Sequence, residues 1–166
     1  PFSVLIDEKL RIEEFALRAP TAVYNLIDRF WPGPLTIILK YKSGGTIGLR
    51  MPDHEVARWV VKHARVPVVC PSANLYGKPA PVDFPEAMYD FDGKVDFAID
   101  AGPASVGVES TVVDITSDQA KVIREGAIKK EDIYSISNKK NVLFICTGNS
   151  CRSVMAAAYM EKVLKD

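Results

Sequence analysis

The segment Pro32-Gly33-Pro34 restricts this fold more than any other feature of the chain. Two prolines cannot continue a helix, because each lacks a backbone donor and clashes with the preceding turn. The apolar stripe Val23, Leu26, Ile27 and Phe30, spaced for one face of a helix, must therefore end there. The next segment, Leu35 to Tyr41, is a β-branched apolar run of the kind that forms a buried strand. Helix gives way to strand within Trp31-Pro32-Gly33-Pro34.

The same change of period recurs along the chain. Val4-Leu5-Ile6 reads as a short strand, Asp7 as the cap of a helix through about Leu17, and Pro20-Thr21 as the start of a second helix ending at Phe30. The turn Lys42-Ser43-Gly44-Gly45 joins the Leu35 run to a strand from Thr46 to Met51. Asp53 is placed to cap a helix through about Ala64, and Val66 to Cys70 is a third apolar strand. A short helix is expected near Glu86 to Tyr89, strands at Phe97 to Ile99, Thr111 to Ile115 and Lys121 to Arg124, and a helix at Lys130 to Tyr134. The polar run Ser135-Ile136-Ser137-Asn138-Lys139-Lys140 reads as a linker before a new apolar strand, Val142 to Cys146. Strands joined both by helices and by short turns imply a mixed α/β sheet rather than a strict βαβ array.

Composition narrows the function classes. Of 166 residues, 48% are hydrophobic and 25% charged, the balance of a globular protein, and 21 basic residues offset 21 acidic ones. With no net charge, a nucleic-acid contact has to use a local patch, for which Lys121, Arg124, Lys129 and Lys130 are candidates. No apolar run approaches the roughly 20 residues of a membrane span, and the first residues have no signal-peptide pattern. Three cysteines, Cys70, Cys146 and Cys151, form no paired framework, which fits a reducing, cytoplasmic compartment. No cluster of metal-ligating residues stands out. The chain opens without an initiator methionine and ends at Lys165-Asp166, so part of a longer protein is expected.

Chemistry concentrates in a few places. Pro71 to Pro85 is too long for a simple connection and is rich in small residues; Ser72 and Asn74 offer hydrogen bonds at a strand end, where open α/β sheets bind ligands. The same residues also suit a loop that only turns. Arg50 and Arg124 each end a strand and suit a carboxylate or phosphate, although a strand-end arginine on the surface has the same position. Glu109-Ser110-Thr111 places hydroxyls before a strand, for a small polar ligand or simply for a strand edge.

Taken together, Phe30-Trp31-Pro32-Gly33-Pro34-Leu35-Thr36, Leu49-Arg50-Met51-Pro52, Pro71-Ser72-Ala73-Asn74 with Gly77-Lys78-Pro79, Glu109-Ser110-Thr111-Val112-Val113-Asp114 and Ile123-Arg124-Glu125-Gly126-Ala127 resemble the YrdC family, over about residues 1–135. The resemblance implies a twisted α/β sheet around a large concave site and a threonylcarbamoyl-adenylate synthase. Such an enzyme combines L-threonine, bicarbonate and ATP, releases pyrophosphate, and feeds the threonylcarbamoyl modification of tRNA through transfer proteins. Some members also bind double-stranded RNA. The roles implied are Arg50, Ser110 and, through its backbone, Cys70 for L-threonine, and Thr46, Ser72, Ala80 and Arg124 for ATP, with Mg²⁺ carried by the nucleotide. A Lys-x-Arg pair and an early strand and helix of the family have no counterpart in this sequence, so the chain is expected not to form the adenylate as it stands.

The last residues carry a second signal. Asn141-Val142-Leu143-Phe144-Ile145-Cys146 leads into a tight loop, Arg152, and an Ala- and Met-rich helix from about Ser153 to Leu164. A cysteine and an arginine six apart, across a loop of converging N–H groups at a helix N-terminus, suit phosphate and an activated thiolate. The run Cys146-Thr147-Gly148-Asn149-Ser150-Cys151-Arg152-Ser153 resembles the low-molecular-weight protein tyrosine phosphatases, here as the beginning of such a domain, 141–166, after a linker at 136–140. The resemblance implies Cys146 as nucleophile, Arg152 as phosphate clamp, Asn149 shaping the loop, Ser153 bonding the thiolate, and Cys151 able to form a protective disulfide. Ser150 matches a small hydroxyl residue of members that act on phosphoarginine. Val154 stands where many members have proline, and their aspartate general acid has no counterpart. A strand, loop and helix cannot bury a sheet, so Val142 to Ile145 and Met155 to Leu164 are expected to leave apolar surface exposed. Alternatives to the synthase are a cysteine-dependent tyrosine or arginine phosphatase, or a non-catalytic double-stranded RNA-binding module.

Overall fold

The computed structural model describes residues 3–139, 142–148 and 151–164. Among them six strands form one sheet: β1 (Ser3–Leu5), β2 (Leu35–Lys40), β3 (Thr46–Arg50), β4 (Val68–Cys70), β5 (Thr111–Asp114) and β6 (Lys121–Arg124). Their spatial order is β4-β1-β3-β2-β5-β6. β1 runs parallel to β3 and β2 to β5, while β4, β6 and the β2–β3 pair are antiparallel to their neighbours. The sheet is mixed, as expected. The helices are α1 (Ile12–Phe15), α2 (Thr21–Phe30), α3 (Glu55–Ala64), α4 (Phe84–Phe91), α5 (Lys130–Ser137) and α6 (Arg152–Val163).

Alternation along the strands separates two faces. Leu35, Ile37 and Leu39 of β2, Leu49 of β3, and Thr111 and Val113 of β5 are fully buried. The aliphatic ones form one core with Ile12 and Phe15 of α1, Val23, Leu26 and Ile27 of α2, and Ile133 of α5. Each such aliphatic side chain contributes about 1.5–3 kcal/mol on burial. The intervening positions, including Thr46, Gly48 and Arg50 of β3 and Thr36 and Ile38 of β2, belong to the opposite face.

Several elements differ from the expectation, each for a tertiary reason. The helix from Asp7 to Leu17 shrinks to a 3-10 turn at Lys9–Arg11 and the four residues of α1. The chain turns extended at Ala16, which bridges to Tyr41, and Leu17 N–H donates to Lys40 O at 2.8 Å. Capture by the end of β2 outweighs the helical period. Asp7 caps nothing and instead pairs with Arg11 at 2.7 Å. The cap of α3 is His54, whose ring accepts from Ala57 N–H at 3.4 Å, rather than Asp53. α4 is longer than expected because Asp83 accepts from Glu86 N–H at 2.9 Å and caps it. β4 starts at Val68 rather than Val66, since its partner β1 has only three residues to offer.

Phe97 to Ile99 is no strand; both end residues are exposed, and no strand edge among the described residues pairs with them. α5 continues through Ser137, so the expected linker begins inside a helix that Ile133 and Ile136 anchor on the core. Val142 to Cys146 likewise forms no strand, having no ladder partner among the described residues. Val142, Leu143 and Ile145 are exposed, as are Met155, Tyr159, Val163 and Leu164 of α6. No helix among the described residues is long and apolar enough to cross a membrane.

Candidate active site

Register builds the site. Arg50, the last residue of β3, pairs with Thr36; Thr36 pairs with Val112; Val112 pairs with Arg124. Partners in a ladder share a face, so these four residues form one row on the side away from the helical core. Ser110, two residues before Val112, points the same way, and its Oγ lies 2.9 Å from Thr36 Oγ1. Arg124 closes over this pair: its Nε and Nη2 donate to Ser110 O at 3.2 and 2.9 Å, and Nη2 also reaches Ser110 Oγ at 3.4 Å. Its Nη1 pairs with the Glu109 carboxylate at 2.8 Å.

Arg124 reaches this row because the β5–β6 ladder is irregular. Asp114 pairs with Lys121 and Val113 with Val122, but Val112 then pairs with Arg124, leaving Ile123 as an extra residue. A regular ladder would set Ile123 opposite Val112 and turn Arg124 to the other face. The bulge re-aims the guanidinium, a common use of such irregularities beside binding sites.

Arg50 is half-buried, and its Nε donates to Gly33 O at 3.4 Å. Gly33 belongs to the Pro-Gly-Pro turn, whose Trp31–Pro32 bond is cis. A Cβ at Gly33 would lie 2.4 Å from Phe30 O, so the turn can present that carbonyl only with glycine there. Burial lowers the Arg50 pKa, Cys70 opposes this, and the like charge of Arg124 lowers it further. Arg50 stays cationic at neutral pH, since arginine begins so high. Two guanidinium groups that feel each other across an open face, with two hydroxyls between their strands, are arranged for a carboxylate or a phosphate.

The remaining expected residues are spread more widely. Cys70 pairs with Ser3, and Ser3 with Gly48, so it shares the face of Arg50 but sits two strands away. Its carbonyl accepts from Ser3 Oγ at 3.3 Å. The thiol is pushed up by burial, with the Arg50 charge pulling it down. Thr46 is on the same face at the far end of β3, about 13 Å from Arg50 at roughly 3.3 Å per residue, and is exposed. Ser72 and Ala80 are exposed in the loop between β4 and α4, and neither bonds to the arginine row among the described residues. That loop is held by Asn74 Nδ2, which donates to Lys78 O at 2.7 Å, and by Lys78 Nζ on Asp90 at 2.5 Å. Asn74 Oδ1 is enclosed without a hydrogen-bond partner among the described residues.

Thr36, beside Ser110, was given no role from sequence, whereas Glu109 and Thr111 stood in the Glu109-Ser110-Thr111 segment without the contacts now seen, Glu109 on Arg124 and Thr111 beneath them. A hydroxyl at the position alternating with buried Leu35 and Ile37 was the available sign for Thr36. No group of acidic, His or Cys residues among the described residues is arranged to hold a metal.

At the other end of the chain, Arg152 opens α6 and is exposed, and Cys146 Sγ lies 3.2 Å from the Oγ of buried Ser153. The turn between them includes Gly148 at φ 94°. Cys151 is exposed, and Asn149 and Ser150 lie outside the described residues.

Comparison with known proteins shows what the chain is similar to. A family model named for Sua5, YciO and YrdC, described as "Telomere recombination", matches residues 1–126. A low molecular weight phosphotyrosine protein phosphatase model matches residues 141–166. The threonylcarbamoyl-AMP synthase of Bacillus subtilis is 36% identical over 146 residues, covering 82% of this chain and 42% of the relative. The Pyrococcus abyssi synthase is 36% identical over 145 residues, covering 82% and 43%. The chain thus spans less than half the length of these two relatives. Among solved structures, P. abyssi Sua5 complexed with L-threonine superposes with a TM-score of 0.77 at 34% identity, over 82% of this chain and 43% of that one. Escherichia coli YciO shares the fold, with a TM-score of 0.70 at 24% identity, over 80% and 68%. With the family model matching well over half its length, the chain belongs to the Sua5/YciO/YrdC family.

Proposed function

We propose that the open face of the sheet is part of an L-threonylcarbamoyl-adenylate synthase site. The observation that supports this most is the row formed by Arg50, Thr36, Ser110 and Arg124. In this reading Arg50 takes the threonine carboxylate, Ser110 and the backbone of Cys70 complete the amino-acid side, and Thr46, Ser72, Ala80 and Arg124 hold ATP. Threonine and bicarbonate condense with loss of water to a carbamate. The carbamate oxygen attacks the α-phosphorus of ATP, a P–O bond to the β-phosphate breaks, and pyrophosphate leaves. The protein supplies orientation and fixed positive charge. Mg²⁺ belongs to this proposal as the counter-ion of the nucleotide phosphates, because the described residues offer no cluster of their own. A cytoplasmic location, a tRNA adenosine as final acceptor, and transfer proteins as partners belong to the same proposal, as does a division into a synthase-like part (1–135) and a separate C-terminal part.

Calorimetric titration with L-threonine, beside Arg50→Ala, tests the reading. Loss of a charge-assisted bond to a carboxylate, worth about 1.5–3 kcal/mol, should weaken binding roughly 10- to 150-fold. Equal affinity in the variant would remove Arg50 from the carboxylate, and no binding by the unsubstituted chain would overturn the reading for this chain.

A second reading concerns residues 141–166 alone. The contact between Cys146 Sγ and Ser153 Oγ at the start of α6 supports the beginning of a phosphatase-type phosphate loop, with Arg152 as clamp. The proposed substrates are phosphotyrosine or phosphoarginine side chains. Titration with orthovanadate, compared with Cys146→Ser, tests it: binding lost in the variant supports the loop, and binding equal in both rejects it.

A further inference from the structure

The geometry points to Thr111 as a positioning residue that sets Ser110 and Arg124 from behind the sheet. The inference rests on the reading of those two residues as ligand-binding groups. Thr111 faces the core and is fully buried. Its hydroxyl donates to Ile128 O at 2.6 Å and accepts from Gly126 N–H at 3.0 Å and Ile128 N–H at 2.9 Å. One donor and two acceptor sites are all used, so the hydroxyl is the hub of a closed network. Its own N–H donates to Pro34 O at 2.9 Å, joining the hub to the Pro-Gly-Pro turn whose Gly33 carbonyl receives Arg50.

The loop so held is the one immediately after Arg124. Gly126 is pressed on the backbone that leads into β5, where an added Cβ would lie 2.3 Å from Glu109 O and 2.8 Å from Ser110 C. Ala127 N–H donates to Glu109 O at 3.1 Å. Residues 109–111 and 126–128 are therefore clasped on both sides, and Arg124, two residues before Gly126, can reach both the carbonyl and the hydroxyl of Ser110. The bulge at Ile123 turns Arg124 to the site face, and the Thr111 clasp fixes how far the strand end advances. An aliphatic residue of the same shape would fill the core equally well but would leave two N–H groups and one carbonyl without their partner.

The test uses this chain with Thr111→Val, Thr111→Ser and Gly126→Ala. Its first readout is proton exchange at the Arg124 Nε–H, which Ser110 O shelters; its second is the affinity for Mg-ATP. Thr111→Val and Gly126→Ala should each speed that exchange about tenfold or more and weaken Mg-ATP by about tenfold, the loss of roughly one charge-assisted hydrogen bond. Amide exchange at Leu49 and Val113 should stay slow, which separates the effect from unfolding. Thr111→Ser, which keeps the hydroxyl, should behave like the unsubstituted chain. Unchanged Arg124 exchange in Thr111→Val and in Gly126→Ala would overturn the inference, and Gly126→Ala decides it alone should Thr111→Val not fold. Absence of Mg-ATP binding in the unsubstituted chain would count against the synthase reading, while the Arg124 signal would still decide the role of Thr111.

Discussion

Thr36 Oγ1 and Ser110 Oγ meet at 2.9 Å, buried between the parallel strands β2 and β5 and separated by 74 residues of sequence. Neither hydroxyl has an apolar substitute that would preserve this contact. Thr36→Val keeps the shape and removes one partner from a buried pair, so it should cost about 1 kcal/mol in urea unfolding. L-threonine binding should weaken several-fold with it. Stability and affinity both equal to those of the unsubstituted chain would show that the pair organises nothing.

Gly33→Ala should be costly for a backbone reason. The new Cβ would stand 2.4 Å from Phe30 O, an atom of the helix end that cannot swing away as a side chain can. A loss of about 1–3 kcal/mol is expected, seen as a lower urea midpoint with an unchanged m-value. A midpoint equal to that of the parent would mean that the turn relaxes freely.

Cys70 provides a chemical probe of Arg50. Burial raises the thiol pKa, and the Arg50 charge lowers it. In a chain carrying Cys146→Ser and Cys151→Ser, alkylation of Cys70 should rise with pH along a curve displaced above that of an ordinary thiol. Adding Arg50→Ala removes the opposing charge, so the curve should move further up. A shift to lower pH would contradict the placement of the two groups.

Asp7 predicts a dependence of stability on acid. Burial pushes its carboxyl up, but the hydrogen bond from Arg11, a bond to its own backbone, and the charges of Arg11 and Lys62 together hold it below its ordinary value of 3.8. A depressed folded pKa means that the unfolded chain takes up the proton first as pH falls. The stability from this group is therefore present above the ordinary carboxylate range and is lost as pH drops through the lowered folded value. Asp7→Asn should destabilise by about 1 kcal/mol at neutral pH, as expected for one partly exposed ion pair. The difference should shrink toward zero as pH falls through that lowered folded value. A gap that stays constant with pH would argue that the effect is packing rather than charge.

Much of this protein was written locally. The Pro-Gly-Pro break, the Gly44-Gly45 turn between β2 and β3, the amphipathic α2 and the strand that ends in Arg50 all arise from steric and hydrogen-bonding preferences acting within a few residues. Residue type and position made Arg50, Ser110 and Arg124 candidates only, with a surface or strand-edge role equally open, and their ligand roles came from the family resemblance. Tertiary structure decided the rest. It cut the first helix to four residues by drawing Ala16 onto Tyr41, and it left Phe97 to Ile99 and Val142 to Cys146 without a partner strand among the described residues. It also selected which face Arg124 serves, through one extra residue at Ile123, and it brought Thr36 to Ser110. Periodicity shows which residues of a strand share a face. Only the pairing of distant strands, with their registers and bulges, shows which faces meet, because that energy is shared between segments far apart in sequence.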